Sequence, residues 1–237
     1  MNPPRKAWVA AFLLLAGLVM SVSCGPTPKD ALQRARDLDQ RAIRFCQEDR
    51  YEEAIPLATE ALEIKEKALG SDHPELVENL VGLASGYFML GRYAEAEPLY
   101  KRALQIQEKS PCRDEMCLPA SLSGLAILYY KQGRYAEAEP LFKRALSAWE
   151  KVRGRNHPAV AVILGNLASI YYEQGRYAQA ERLLRRALTI FELAEGSDNL
   201  NVATVLEKQA QLYRKMDRLP EAEACEQRAA RIRAMKR

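Results

Sequence analysis

Gly91-Arg92-Tyr93-Ala94-Glu95-Ala96-Glu97-Pro98-Leu99-Tyr100-Lys101-Arg102-Ala103-Leu104 is restated 42 residues later, almost unchanged, as Gly133 to Leu146. After another 42 residues it returns as Gly175-Arg176-Tyr177-Ala178-Gln179-Ala180-Glu181-Arg182-Leu183-Leu184-Arg185-Arg186-Ala187-Leu188. Weaker copies stand one period outward on each side, at Asp49-Arg50-Tyr51-Glu52-Glu53-Ala54 and Asp217-Arg218-Leu219-Pro220-Glu221-Ala222. A fixed period of this size specifies stacked supersecondary units in place of one globular core.

Two helical patterns alternate within each period. Leu76, Leu80, Leu83, Ala84 and Tyr87 fall at helical spacing, Gly91 interrupts, and Tyr93, Ala96, Tyr100, Ala103 and Leu104 resume it. The next copies substitute Leu122, Leu125, Ala126 and Tyr129 before Gly133, then Leu164, Leu167, Ala168 and Tyr171 before Gly175. Large residues alternate with Ala, so each small residue leaves room for a large one on the facing helix. A Gly between the two patterns suits a left-handed residue that ends one helix and reverses the chain. Pro56, Pro98 and Pro140 fall a few residues into the second helices, where a local bend is expected.

These residues, Leu-Ala-x-x-Tyr-x-x-x-Gly-x-Tyr-x-x-Ala-x-x-x-Tyr/Phe-x-x-Ala-Leu, resemble the tetratricopeptide repeat. The longer period, with His73-Pro74 and His157-Pro158 opening first helices, is similar to the kinesin-light-chain variety. The resemblance implies an all-α chain: a right-handed α-solenoid of about five helical hairpins. The repeats are set at about 30–69, 70–111, 112–153, 154–195 and 196–237. In the outer copies, the positions of Leu83, Gly91 and Tyr100 hold Arg41, Asp49 and Ala58 at one end and Gln209, Asp217 and Glu226 at the other. Terminal repeats have a face without a neighbour, so polar replacements there read as caps.

Ahead of the array, Arg5 and Lys6 precede an apolar run, Ala7 to Met20, and the small residues Ser21-Val22-Ser23. This is the layout of a secretory signal over residues 1–23, too short for a comfortable permanent span. Cys24 directly after it resembles the acylated Cys of bacterial lipoproteins, with residues 24–29 as anchor and tether. Ser21 stands where those signals usually carry an aliphatic residue, so cleavage by an ordinary signal peptidase is the competing reading. The lipoprotein reading implies an exported, periplasmic chain held at the outer membrane. Removal of residues 1–23 leaves 33 basic against 31 acidic residues. That balance gives no footprint for nucleic acid.

Cys112 and Cys117 sit in the turn between the second and third repeats, Cys112 replacing the expected Gly. In an exported protein, a local disulfide is expected of such a pair, with free thiols as the alternative. The two His residues belong to turns and have no companion ligands, so no metal or cofactor is expected. No phosphate loop and no nucleophile–His pair is present in the sequence, so neither an enzyme nor a small-molecule substrate is expected. Glu97 with Lys101, Glu139 with Lys143 and Glu181 with Arg185 read as solvated i,i+4 pairs.

What the resemblance implies is binding of a protein or peptide along the concave face lined by first helices. Carried over residue by residue, the groove candidates are Ser85, Phe88, Ser123, Ile127, Tyr130, Asn166, Ser169 and Tyr172. Small residues would let a backbone approach, Asn166 could pair with its amides, and Tyr130 and Tyr172 could anchor it. The Lys and Asn set with which related domains clamp a terminal carboxylate is mostly missing, which disfavours that ligand. A self-associating or self-occluded array is the alternative to an adaptor.

Overall fold

The computed structural model describes residues 27–110 and 115–235. Ten helices are described: α1 (Pro28–Gln47), α2 (Tyr51–Leu69), α3 (Leu76–Met89), α4 (Tyr93–Lys109) and α5 (Cys117–Lys131). They continue as α6 (Tyr135–Arg153), α7 (Pro158–Glu173), α8 (Tyr177–Glu195), α9 (Leu200–Lys215) and α10 (Leu219–Met235). Each odd helix pairs with the even helix that follows, and each hairpin packs on the next. The product is an all-α solenoid.

The local chemistry explains the boundaries. Gly91, Gly133 and Gly175 take φ of 73, 74 and 72°, the left-handed residue that closes each central hairpin turn. Asp49 and Asp217 take the same conformation in the outer hairpins (φ 58 and 56°), which short polar side chains tolerate better than other non-Gly residues do. Between repeats, Ala159 N–H donates to His157 Nδ1 (3.2 Å) and Glu75 N–H to His73 Nδ1 (3.2 Å), so both imidazoles serve the turns. At the N-terminal end α1 begins at Pro28, two residues inside the expected tether. Thr27 and Asp30 form a reciprocal capping box and Pro28 occupies the first turn, where a missing N–H costs nothing.

One boundary breaks the period. Helices α2, α6 and α8 end at Leu69, Arg153 and Glu195, each followed by Gly, whereas α4 stops at Lys109. Ser110 is extended there (φ −144°, ψ 109°). Pro111 follows it, and the proline ring disfavours the helical region for the residue before it. Helices α2, α4 and α6 run on through Pro56, Pro98 and Pro140.

Packing follows the large–small alternation. Ala84, Ala96, Ala126, Ala138, Ala168 and Ala180 are all buried, as are Leu80, Leu122, Phe142, Leu164 and Leu184 around them. The main apolar cluster runs unbroken from Ala84 to Ile232, a second joins α2 to α5, and a small third, Ala35, Leu38 and Ala61, lies in the first hairpin. Neighbouring first helices also touch: α3 with α5, α5 with α7, and α7 with α9. Second helices are bridged by long side chains, Arg102 to Glu66, Arg144 to Glu108, Arg186 to Glu150 and Arg228 to Glu192. The first helices therefore form the inner, closely spaced layer.

Candidate functional site

The 42-residue period sorts the inner layer into columns. One holds Gly82, Gly124, Asn166 and Lys208, the next Ser85, Ile127, Ser169 and Gln211, and a third Phe88, Tyr130, Tyr172 and Arg214. Residues in one column share a structural position, so differences along it distinguish one stretch of groove from another.

Ile127, Tyr130, Asn166, Ser169 and Tyr172 converge on a single cavity of about 330 Å³ between α5, α7 and α9, together with Lys131, Glu173, Lys208 and Gln211. Each aromatic is braced by the first residue of its own second helix. Tyr130 lies 5.6 Å from Tyr135 and Tyr172 5.9 Å from Tyr177, centroid to centroid, and Phe88 makes the same tilted contact with Tyr93 at 5.5 Å. The rings are thus held upright without being covered, and both Tyr130 and Tyr172 stay partly exposed. Burial pushes the Tyr130 phenol above its ordinary range. Ser169 Oγ donates to Gly165 O (3.0 Å) and accepts from Lys208 Nζ (3.0 Å), and Lys208 also donates to Gly165 O (3.1 Å). Lys208 was not singled out by sequence, whereas Lys131 falls on the groove face that the repeat pattern assigns to the third repeat. Reading the Gly82 column one repeat further would have found Lys208.

The remaining candidates lie elsewhere. Ser123 is turned into its own hairpin: it donates to Pro119 O (2.6 Å) and accepts from Trp149 Nε1–H (3.2 Å) of α6. It falls one residue before the inner column, at Gly124, and does not line the cavity. Ser85 donates to Val81 O (2.8 Å) and meets Tyr100 Oη at 2.9 Å, so the groove floor there is closed from behind by the Tyr100 ring. Gly124 makes room for that ring: a Cβ at Gly124 would stand 2.4 Å from Tyr100 Cε1. Cys24 and Cys112 lie outside the described residues, and with them the acylation site and the Cys112–Cys117 pairing.

A second, apolar cavity of about 130 Å³ lies between α1 and α3, lined by Ala42, Ile43, Cys46, Ile55, Gly82 and Leu83 among others. At its polar end Lys65 donates to Asp39 (2.7 Å) and Asn79 (2.6 Å), and Asn79 also donates to Asp39. Those charges satisfy one another.

Behind the groove, the repeated phrase proves to be a latch between repeats, which corrects the reading of its acids as solvated pairs. Glu97 accepts from Arg134 (2.7 Å) and Tyr129 Oη (3.0 Å) of the following repeat as well as pairing with Lys101. Glu139 takes Arg176 (3.1 Å) and Tyr171 (3.3 Å), and Glu181 takes Arg218 (3.0 Å) and Tyr213 (3.2 Å). The three carboxylates keep only 19, 17 and 10% of their side-chain surface exposed. Each Arg also stacks on the Tyr it shares an acceptor with, at 3.9, 3.9 and 4.4 Å. Burial alone would raise the Glu97 carboxyl, but bonds from Arg134, Lys101 and Tyr129 outweigh it and hold the group down to about 2. The first interface lacks this device, because Ile55 stands at the Glu97 position.

A solenoid of two-helix units with an inner groove and variable groove positions defines a repeat scaffold for protein–protein contact. The chain belongs to the tetratricopeptide repeat family: the family model matches residues 38–109, 118–192 and 161–234, and a second tetratricopeptide model matches 87–148. Curated proteins provide no match. Among solved structures, a kinesin light chain protein of Podosopora anserina with nearly identical TPR-like repeats is similar, with TM-score 0.72 and 26% identity over 87% of this chain and 98% of that one. BtubC (BKLC) from P. vanneervenii superposes with TM-score 0.67 and 21% identity over 89% and 92% of the two chains. MamA from Desulfovibrio magneticus RS-1 does so with TM-score 0.64 and 14% identity over 85% and 96%. The last two share the fold. Among the described residues, no helix is long and apolar enough to cross a membrane.

Proposed function

We propose that this chain is a non-enzymatic adaptor that holds an extended segment of a partner protein along its inner groove, centred on α5, α7 and α9. The observation that carries the reading is the convergence of Ile127, Tyr130, Asn166, Ser169 and Tyr172 on one cavity of the inner layer. Partly exposed aromatics beside an amide and a hydroxyl supply both anchoring area and backbone recognition. We also propose that the adaptor works in the bacterial envelope, acylated at Cys24 and held at the outer membrane. The basic start, apolar run and Cys24 of the sequence support this.

Affinity capture from a membrane extract, with Asn166→Ala and Tyr172→Ala as paired baits, tests the groove. Wild type is expected to retain proteins that both variants lose; recovery of the same proteins by all three would sink the reading. Metabolic labelling with a radioactive fatty acid tests the anchor. Label should appear on wild type and vanish in Cys24→Ser, and unlabelled wild type would refute acylation.

A further inference from the structure

We infer that the edge of the solenoid carrying the inter-repeat turns rests on an anionic phospholipid bilayer, with Leu193 and Met235 entering its interface. The inference rests on the envelope reading above and adds how the array is oriented on the membrane.

Each hairpin joins two antiparallel helices through a short turn, so the starts of first helices and the ends of second helices share one edge. The last turn of each second helix offers one exposed position there. Lys67, Lys109 and Lys151 fill it in the first three repeats, Leu193 and Met235 in the last two. Leu193 is 74% exposed, the most of any large apolar side chain among the described residues, and Met235 is 61% exposed. Leu200, at the start of α9, is exposed as well. Arg228 of α10 donates to Glu192 (2.7 Å) and to Ser197 O (3.4 Å), which sets α10 beside the turn between Leu193 and Leu200. Met235, Ala234 and Ile232 line one depression with Ser197 and Asp198 of that turn. A single exposed apolar residue is ordinary. Three at one end of one edge, two of them where earlier repeats keep lysine, form a patch.

Side chains this exposed protrude, and a fluid bilayer interface takes protruding side chains without a matching pocket. The charge around them suits anionic headgroups. Residues 227–237 hold Arg228, Arg231, Arg233, Lys236 and Arg237 and no acid. Of the acids beside the patch, Glu192 is taken by Arg228, Glu195 accepts from Asn201 (2.8 Å), and Asp198 shares its depression with exposed Arg231. Further along the edge Lys67 and Lys151 are exposed, while Lys109 pairs with Asp72. Chain length supplies a second argument. Cys24 stands three residues before Thr27, a reach of about 10 Å at most, and α1 starts on this same edge. An acyl anchor at Cys24 therefore brings this edge to the bilayer, not the edge of the hairpin turns. A further contact through Leu193 and Met235, at the other end of the array, stops it swinging on its tether and fixes the direction in which the groove faces.

The test uses residues 24–237, which hold all ten helices and their apolar clusters, with Cys24→Ser so that no acyl chain contributes. The protein is floated on a density gradient with vesicles of phosphatidylethanolamine and phosphatidylglycerol, or of phosphatidylcholine alone. It should rise with the anionic vesicles and not with the neutral ones, and added salt should release it. Leu193→Ser with Met235→Ser should weaken binding at least about tenfold, and Arg231→Glu should weaken it on anionic vesicles. Melting temperatures should be unchanged, since all three positions are exposed. The Trp introduced by Leu193→Trp should be quenched by lipids brominated in their acyl chains, and Trp149 of the parent should not. Absence of flotation, equal flotation on neutral vesicles, or flotation that ignores the Leu193 and Met235 changes overturns the inference. So does a wild type that fails to float but dimerises in sedimentation velocity through Leu193 and Met235, which gives the patch to a second copy. Vesicle binding without fatty-acid labelling of the full chain removes the anchor and keeps this contact; labelling without vesicle binding does the reverse.

Discussion

Gly124 is a small residue with a large consequence. It lets the Tyr100 ring pass beneath α5 to meet Ser85, and a Cβ there would lie 2.4 Å from Cε1. Ala in place of Gly normally favours a helix by about 1 kcal/mol, while crowding a packed ring costs about 1–3 kcal/mol. Gly124→Ala should therefore lower stability in urea denaturation. In a Tyr100→Leu background, where the slot carries the residue that Leu184 supplies one repeat before the end, the same change should stabilise. An unchanged sign in the two backgrounds would show that the ring does not set the requirement. Neither partner explains the other in sequence: Tyr100 and Gly124 are legible as a core aromatic and a groove glycine, and only the fold brings them into contact. Lys208 is a different case: local sequence leaves it as one more lysine on an amphipathic helix, but the 42-residue period places it in the column of Gly82, Gly124 and Asn166.

At the level of the elements, the Glu–Tyr–Arg latch turns a charge pattern into a register. Its residues were all legible, since Arg and Glu recur in every strong copy, but i,i+4 spacing pointed to contacts within one helix. The partners that matter lie 37 residues on, in the next turn. A latch carboxyl sits lower in the folded protein than in the unfolded chain, about 2 against an ordinary 4.5 for Glu97, and also lowered for Glu139 and Glu181. Its stabilisation is therefore complete above pH 4.5 and disappears as pH falls towards 2. Thermal melts across that window should show wild type losing more stability than Glu97→Gln, and a triple Gln variant at 97, 139 and 181 should be flatter still. Parallel pH profiles would remove the latch as the cause.

For the whole molecule, stability in a stacked array is a sum of repeat and interface contributions, so the weakest interface opens first. The first hairpin has the smallest apolar cluster and Ile55 where the other interfaces have a latch acid. Amide hydrogen exchange should therefore be fastest in α1 and α2, ahead of α9 and α10; the opposite order would contradict a latch-weighted array. The five-hairpin plan was legible because three copies agree in phase, whereas the early stop of α4 was set by Pro111, a single departure from the consensus. Because Glu97, Glu139 and Glu181 each meet an equivalent Arg and Tyr, the chain is in principle open to excision in whole periods, provided the cut keeps Tyr100 together with Gly124. Deleting residues 134–175 joins Gly133 to Arg176, keeps Tyr100 over Gly124 and offers Arg176 to Glu97. Deleting 112–153 instead sets Tyr100 against the Cβ of Asn166. The first shortened protein should melt cooperatively and the second at a markedly lower temperature, so unequal crossing-over between these repeats would meet a steric checkpoint at one ring.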